Sequence, residues 1–283
     1  MIEMQLPPEP LISCLCITSN RMLHLKNSIR CFQGQSYPNK ELIIVYQGAS
    51  KSITDFIKRE SKRIKIKPVF LPRKPKLSLG ELRNISIENA SGDYVCTWDD
   101  DDWYHTDRLK IQVAGVLNNR HAASILNYIF IFDKSNKQAY FSKQRLWEGS
   151  ILYRRDIYPA IKYPPRSKSE DAIFVYDIIR HRNIFPIVHP GLYIYVFHGM
   201  NTWGTDFFKK LFESSQKLSR SCSKLISQIL TGKYDVKKAS RLLHSDAILS
   251  EINYLYQTKL LLAKQDNLIK GTGSKTRTRK LVR

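Results

Sequence analysis

Four consecutive aspartates, Asp99, Asp100, Asp101 and Asp102, follow without a break on the apolar run Tyr94-Val95-Cys96-Thr97-Trp98. A fold that buries the run must hold the acids at an edge. Adjacent carboxylates repel one another and raise each other's pKa unless a cation lies among them. Open α/β sheets meet both demands, since their strands are covered and ligands bind outside the strands' carboxyl ends. The preceding segments fit such a sheet. Residues 11–17 and 42–45 are short apolar runs, and residues 64–71 alternate as a strand does. Between them, residues 22–32 place Leu25 and Ile29 four apart, and a second helix begins at residues 53–57. Residues 79–90 set Leu82, Ile85 and Ala90 on one helical face before Ser91-Gly92-Asp93 turns the chain into the aspartate strand. This βαβαβα rhythm predicts a mainly parallel sheet flanked by helices. After the acids, a helix is expected at 106–117, strands at 123–132, 149–153 and 192–196, and then His198.

The acids lie in a chain with a formal net charge of +21. Hard divalent ions such as Mg²⁺ and Mn²⁺ choose oxygen ligands, and Mg²⁺ typically takes one or two carboxylates plus the phosphates of a substrate. The positive excess implies an anionic partner, whether nucleic acid, an acidic membrane surface or a phosphorylated substrate. It is concentrated late: from Phe207 onward, 17 Lys and Arg stand against 5 Asp and Glu. Two units are therefore expected, a sheet domain over 1–206 and a basic helical extension over 207–283. Leu211, Leu218 and Leu225 recur every seven residues with Cys222 and Ile229 between, which predicts one amphipathic helix. Ile248, Ile252, Leu255 and Leu262 predict another, followed by an exposed tail at Lys275-Thr276-Arg277-Thr278-Arg279-Lys280.

No apolar stretch approaches the roughly 18 residues a membrane-spanning helix needs. Met1-Ile2-Glu3-Met4-Gln5 lacks the features of a secretory signal, so the cytoplasm is the expected compartment, with peripheral contact at the inner membrane face. The five cysteines form no CxxC pair and read as buried thiols.

Three further islands accompany the aspartates: Leu79-Gly80-Glu81-Leu82-Arg83-Asn84, then Glu170-Asp171 preceded by Gly149-Ser150-Ile151-Leu152, then Phe197-His198-Gly199-Met200-Asn201-Thr202-Trp203. In this order they resemble the nucleotide-diphospho-sugar transferases of glycosyltransferase family 2, which have the GT-A fold, over roughly residues 11–203. The resemblance implies that the aspartates are a DXD-type motif. Asp99 would touch the nucleotide ribose with Asp100 beside it, and Asp101, with Asp99 and His198, would hold Mn²⁺ or Mg²⁺ on the diphosphate, supported by Asp102. Glu170-Asp171 resembles the acidic pair on the acceptor side, with Asp171 as general base and Glu170 as its competitor. Arg83 becomes a partner for the diphosphate or the acids, since a guanidinium binds such oxygens bidentately. Trp203 becomes a wall of the acceptor cleft. Thr18-Ser19-Asn20-Arg21 resembles the loop receiving the base, which makes Thr18, Asn20 and Arg21 nucleotide contacts. The family's usual Asp-Asp-Gly-Ser is replaced by Tyr46-Gln47-Gly48-Ala49. Gln47 would offer a base edge both a donor and an acceptor, which leaves the base unassigned.

The expected activity is inverting, metal-dependent transfer of a sugar from a nucleotide-sugar to an acceptor hydroxyl, on a glycan or lipid-linked acceptor in cell-surface glycan synthesis. Two alternatives share the fold. The acceptor could be a hydroxylated base in DNA, with the basic extension neutralising phosphates. The chain could also be a catalytically silent module that binds nucleotides or glycans.

Overall fold

Leu42, Ile43, Ile44 and Val45 are all buried, a pattern that a strand shows only when both its faces are covered. The computed structural model, which describes residues 9–48, 50–158 and 160–257, places them inside a seven-stranded sheet. Strands β1 (Ile12–Thr18), β2 (Lys40–Gln47), β3 (Ile66–Leu71) and β4 (Tyr94–Thr97) are mutually parallel, with β1 between β2 and β4. Their crossovers are α1 (Met22–Gln33), α2 (Lys51–Ser61) and α3 (Leu79–Glu88). Successive residues of β1 and β2 feed opposite cores. Cys14, Cys16, Leu42 and Ile44 pack with Leu25, Ile29 and Phe32 of α1, whereas Leu15, Ile43 and Val45 pack with Ile87 of α3 and Phe174 of a later helix. Helix α3 opens on a capping box, in which Ser78 and Glu81 satisfy each other's backbone N–H groups.

The chain leaves this sheet at the aspartates. Directly after them, β5 (Trp103–Tyr104) belongs to a second, five-stranded sheet. Helix α4 (Arg108–Asn119) then leads back to the first sheet through β6 (Ala123–Leu126). The single strand expected over 123–132 is two, because β7 (Phe130–Asp133) pairs in the second sheet with β8 (Gln138–Phe141). The break falls at Asn127 to Ile129, where Asn127 N–H turns to Ile187 O and Ile129 N–H to Ser142 Oγ. The strand expected over 149–153 begins later, as β9 (Leu152–Arg154), after a short 3-10 turn at Glu148–Ser150. Helix α5 (Glu170–His181) and β10 (Ile184–Ile187) complete the first sheet, and β11 (Tyr193–Phe197) enters the second between β7 and β5. The four aspartates therefore lie at the seam of the two sheets.

The extension after residue 206 is not helix only. The heptad run is broken into α6 (Thr205–Glu213), a two-residue strand β12 (Gln216–Lys217) and α7 (Arg220–Leu230). Ser214 and Ser215 turn their hydroxyls back to Leu211 O, and Ser219 caps α7 by accepting from Cys222 N–H. Such side chains compete with helical hydrogen bonds and favour termini. Helix α8 (Val236–Leu243) follows, then a helix over 246–257 that carries Ile248, Ile252 and Leu255. Phe208, Leu211, Ile226, Ile229 and Leu243 are buried in the same core as α1 and the second sheet. Leu262 and the basic run from Lys275 to Lys280 lie outside the described residues. Among the described residues, no helix is long and apolar enough to cross a membrane. All five cysteines are buried and unbridged.

Candidate active site

At the end of β4, Trp98 is fully buried and fixes the turn that follows. From it the four carboxylates diverge, Asp100 and Asp101 sharing Arg21 and the other two taking separate partners. Asp100 accepts from Thr18 Oγ1 at 2.6 Å and from Arg21 Nη2 at 2.5 Å. Asp101 Oδ2 accepts from Arg21 Nη1 at 3.0 Å and lies 3.0 Å from His198 Nε2. Asp102 is buried, taking the Tyr193 hydroxyl on one oxygen and Val196 N–H, at 2.9 Å, on the other. Asp99 turns the opposite way, to Arg83 Nη2 at 3.4 Å. Beneath the turn Arg108 is wholly buried, donating to Thr97 O and Gln112 Oε1 and stacked over the Tyr104 ring. The sequence's clustered charge is thus dispersed over two guanidiniums, Arg21 and Arg83, and over polar partners from both sheets.

The carboxyls respond differently. Burial and the Asp101 charge push Asp100 up to about 7 against the pull of Arg21. Burial likewise raises Asp99 and Asp102. Burial alone would raise Asp101 too, but the His198 hydrogen bond and Arg21 hold it below the usual carboxylate range. Asp101 is therefore the member of the run whose charged form its surroundings favour most, which suits it to a cation.

Strand pairing delivers His198 to Asp101. Residues Trp103 and Tyr104, just past the acids, pair antiparallel with Ile194 and Tyr193 of β11, whose end carries His198. His198 Nε2 is the ring nitrogen that faces Asp101, and Nδ1 lies 3.2 Å from Met200 N. A third group joins them from α1: His24, whose ring centroid is 4.7 Å from that of His198. Ligand atoms of His24, Asp101 and His198 all lie within 4.8 Å of one another. Whether these residues fit a divalent ion turns on their donor atoms. One carboxylate and two imidazoles form an accepted set, and His24 Nδ1 is buried with no hydrogen-bond partner. They fit. Asp99 lies outside this group, on Arg83.

On the other flank, Arg83 is buried and bridges Asp99 to Glu170, whose Oε1 is 3.2 Å from Arg83 Nε. Gly80 makes this bridge feasible. Its N–H donates to Arg166 O at 2.9 Å, and a Cβ there would stand 1.9 Å from Pro164 O, so α3 can approach the loop before α5 only at glycine. Glu170, buried and paired with Arg83, is a support. Asp171 instead lines a cavity of about 250 Å³ with Asp99, Gly149, Tyr195 and Trp203. A Cβ on Gly149 would come 3.0 Å from the Tyr193 hydroxyl and 3.6 Å from Asp99 Oδ2, so the glycine keeps this wall open. Acids in a first helical turn also face the favourable end of the helix dipole.

A third hollow, of about 510 Å³, lies among Asn20, Gly48, Ser50, Pro72 and Arg73 at the ends of β1 and β2. Asn20 Oδ1 accepts from Tyr46 OH and Ser50 N–H, which ties its two loops together. Gln47 spends its amide on the loop over 72–77. Its Nε2 donates to Pro72 O and Pro75 O, and its Oε1 accepts from Leu77 N–H.

Sequence reasoning did not single out His24, Arg108, Tyr193 or Gly149 for these roles. Gly149 stood in a quoted motif, but without a stated function. His24 carried one signal: it sits one turn after the strand end at which ligands bind in such sheets.

The chain matches the model of the family described as Glycosyl transferase family 2 over residues 13–174. An uncharacterized glycosyltransferase of Haemophilus influenzae is 27% identical over 60% of this chain and 72% of its own. The GalNAc(5)-diNAcBac-PP-undecaprenol beta-1,3-glucosyltransferase of Campylobacter jejuni is 26% identical over 52% of this chain and 47% of its own. Among solved structures, S. aureus TarS 1-349 in complex with UDP-GlcNAc aligns at a TM-score of 0.57 and 13% identity, covering 79% of this chain and 72% of that one. The mannosyltransferase PcManGT from Pyrobaculum calidifontis, in complex with GDP-Man and Mn²⁺, aligns at 0.55 and 13% identity over 92% of this chain and 80% of that one. At such identities the structures establish the GT-A fold, while the family match covers more than half of the sequence. The chain belongs to glycosyltransferase family 2 and is a glycosyltransferase.

Proposed function

We propose that the protein transfers a sugar from a nucleoside-diphosphate sugar to an acceptor hydroxyl, with inversion at the anomeric carbon and with help from a divalent cation. The observation that carries this reading is the division of the aspartate turn. Asp101 faces His24 and His198, while Asp99 shares a small cavity with Asp171. One side suits a diphosphate and its cation, and the other suits a sugar and the hydroxyl that attacks it. The hollow at Asn20, Gly48 and Arg73 is placed for the nucleobase.

In this account Asp171 accepts the proton of the acceptor hydroxyl as the new C–O bond forms, and the bond from the anomeric carbon to the diphosphate breaks on the opposite face. Glu170 does not compete for that proton, because its carboxylate is held by Arg83. A divalent cation held by His24, Asp101 and His198 would supply Lewis-acid neutralisation of the departing diphosphate. Arg21, already bonded to Asp100 and Asp101, adds fixed positive charge at the same place. Tyr195 and Trp203 form apolar walls that exclude water from the attacking hydroxyl.

The named activity of the Campylobacter relative, a transfer onto an undecaprenyl-diphosphate-linked glycan, supports a lipid-linked acceptor in surface-glycan assembly. The basic C-terminal part would favour an anionic membrane face. Calorimetry with UDP and GDP tests the donor half. At least one should bind with Mn²⁺ and fail with EDTA, and Asp101→Ala should lose that binding. Equal affinity with and without the metal would remove the cation from the account. Asp171→Asn should bind the nucleotide as the wild type does while turnover falls by roughly 10²–10⁴. A larger loss from Glu170→Gln would transfer the base role to Glu170.

A further inference from the structure

The donor side of the proposed reaction needs a cation, and the first helix offers it an unexpected group. We propose that His24 is a metal ligand, completing a site of two imidazoles and one carboxylate that selects a transition-metal ion, Mn²⁺ above all, over Mg²⁺. This rests on the reading of Asp101 as the cation-bearing acid and adds to it a ligand outside the acidic motif.

The geometry is specific. His24 follows β1 by one turn of α1, so its position is set by the same strand end that presents Thr18 and Arg21 to Asp100. His198 reaches the spot from the other sheet, through β11. Two elements far apart in sequence thus converge on Asp101, with their rings tilted at 51° rather than stacked. A histidine that served only to fill the core would have its buried nitrogen satisfied, since burying such an atom unpaired is costly. His24 Nδ1 is buried and unpaired. Positive charge already stands at this place, since Arg21 Nη1 lies 3.0 Å from Asp101 Oδ2 and 3.4 Å from His198 Nε2, and an ion bound there would displace that nitrogen. A cleft of about 1020 Å³ between α1 and the α7–α8 pair has His24, Asp101 and His198 in its wall and gives an ion a route in.

The ligand set decides the metal. Mg²⁺ asks for near-octahedral oxygen and keeps its waters, whereas imidazole suits first-row transition ions. Two imidazoles therefore penalise Mg²⁺ more than Mn²⁺.

The test is metal binding to the full chain, read apart from turnover. Free Mn²⁺ is followed by electron paramagnetic resonance during titration, with the metal alone and with UDP or GDP present. Mg²⁺ is measured by competition. Wild type should favour Mn²⁺ by at least about tenfold, as expected of nitrogen ligands. His24→Ala should weaken Mn²⁺ by at least about tenfold, since losing even a partner one shell out from a metal costs that much. Electron spin-echo modulation should show two imidazole ¹⁴N couplings in the wild type and one in His24→Ala. Melting in EDTA checks that the variant folds, and His24→Asn provides a second variant if it does not. Unchanged Mn²⁺ affinity and both couplings in the variant would overturn the proposal. So would equal affinity of the wild type for Mg²⁺. If Asp101→Ala loses Mn²⁺ while His24→Ala does not, His24 is excluded and the donor reading stands. If neither loses it, the cation site itself is wrong.

Discussion

Replacing Arg83 with methionine keeps most of the side chain's volume and removes the one charge that faces both Asp99 and Glu170. The two ion pairs are unequal. Arg83 and Glu170 have side-chain exposures of 7% and 4% and lie 3.2 Å apart, whereas Asp99 is 27% exposed and lies 3.4 Å away. Removing one partner of a buried pair costs roughly 3–5 kcal/mol. Because only the Glu170 pair is fully buried, the lower end, about 3 kcal/mol, is expected at pH 7. The loss should depend on pH in a defined direction. Burial already raises Glu170 and Asp99, with Arg83 opposing it. Without Arg83 both folded-state pKa values rise further above their unfolded values. A carboxyl raised in this way binds its proton in the folded state before the unfolded, so acidification stabilises the variant relative to the wild type. Urea denaturation followed by tryptophan fluorescence at pH 7 and pH 5.5 measures both quantities. The gap between wild type and Arg83→Met should narrow at the lower pH, and Arg83→Lys should recover part of it. A gap below about 1 kcal/mol, in the range of an exposed pair, or one that does not change with pH, would refute the bridge.

Three other outcomes follow from the same structure. His105 is lowered to about 4 by burial and by His244, and His189 and His244 are lowered with it. At these histidines the unfolded chain therefore binds more protons between about pH 6.5 and 4, so their contribution to stability is lost as pH falls through that window, opposite in sign to that of the raised carboxyls. His105→Asn should recover about 3 kcal/mol at pH 4 relative to pH 7, and a difference from wild type that does not change with pH would contradict the assignment. Gly149→Val should fill the cavity beside Asp171 and lower turnover while calorimetric nucleotide binding stays unchanged, and a fall in nucleotide binding instead would place the donor on that side. Phe208→Ala removes a fully buried ring shared with the second sheet and should cost about 3–5 kcal/mol in urea melts. A cost under 1 kcal/mol would show that α6 is an independent appendage.

The first hundred residues were legible because each level of the sequence agreed with the others. The short apolar run at Leu42 to Val45 is a covered strand, and Leu82, Ile85 and Ala90 on one face marked α3. The acids at the end of β4 declared themselves by their cost. Glu170 and Asp171 were legible as a helix start, but their different surroundings were not: the pairing of Glu170 depends on Arg83 arriving from α3 through the close approach at Gly80. His24 was illegible for a similar reason. On α1 it is one polar residue in an amphipathic helix, and only the antiparallel pairing of β5 with β11 brings His198 to it. The heptad spacing of Leu211, Leu218 and Leu225 misled because periodicity registers burial and not continuity. Leu218 is buried just past β12, where its N–H donates to Ala139 O, and serines end the helix before it. Likewise the run over 123–132 is buried in two different sheets, and one polar residue, Asn127, is all that marks where it changes between them.

The stereochemistry of transfer tests the central claim most directly. A panel of nucleotide-sugars is supplied with Mn²⁺ and a polyprenyl-diphosphate-linked acceptor, and proton NMR follows the anomeric signals of the first product formed. The account predicts a product of opposite anomeric configuration to the donor, made by the wild type. It predicts the same product from Asp171→Asn at a rate lower by roughly 10²–10⁴, although that variant still binds the nucleoside diphosphate. A product of retained configuration, or undiminished transfer by Asp171→Asn, would contradict it.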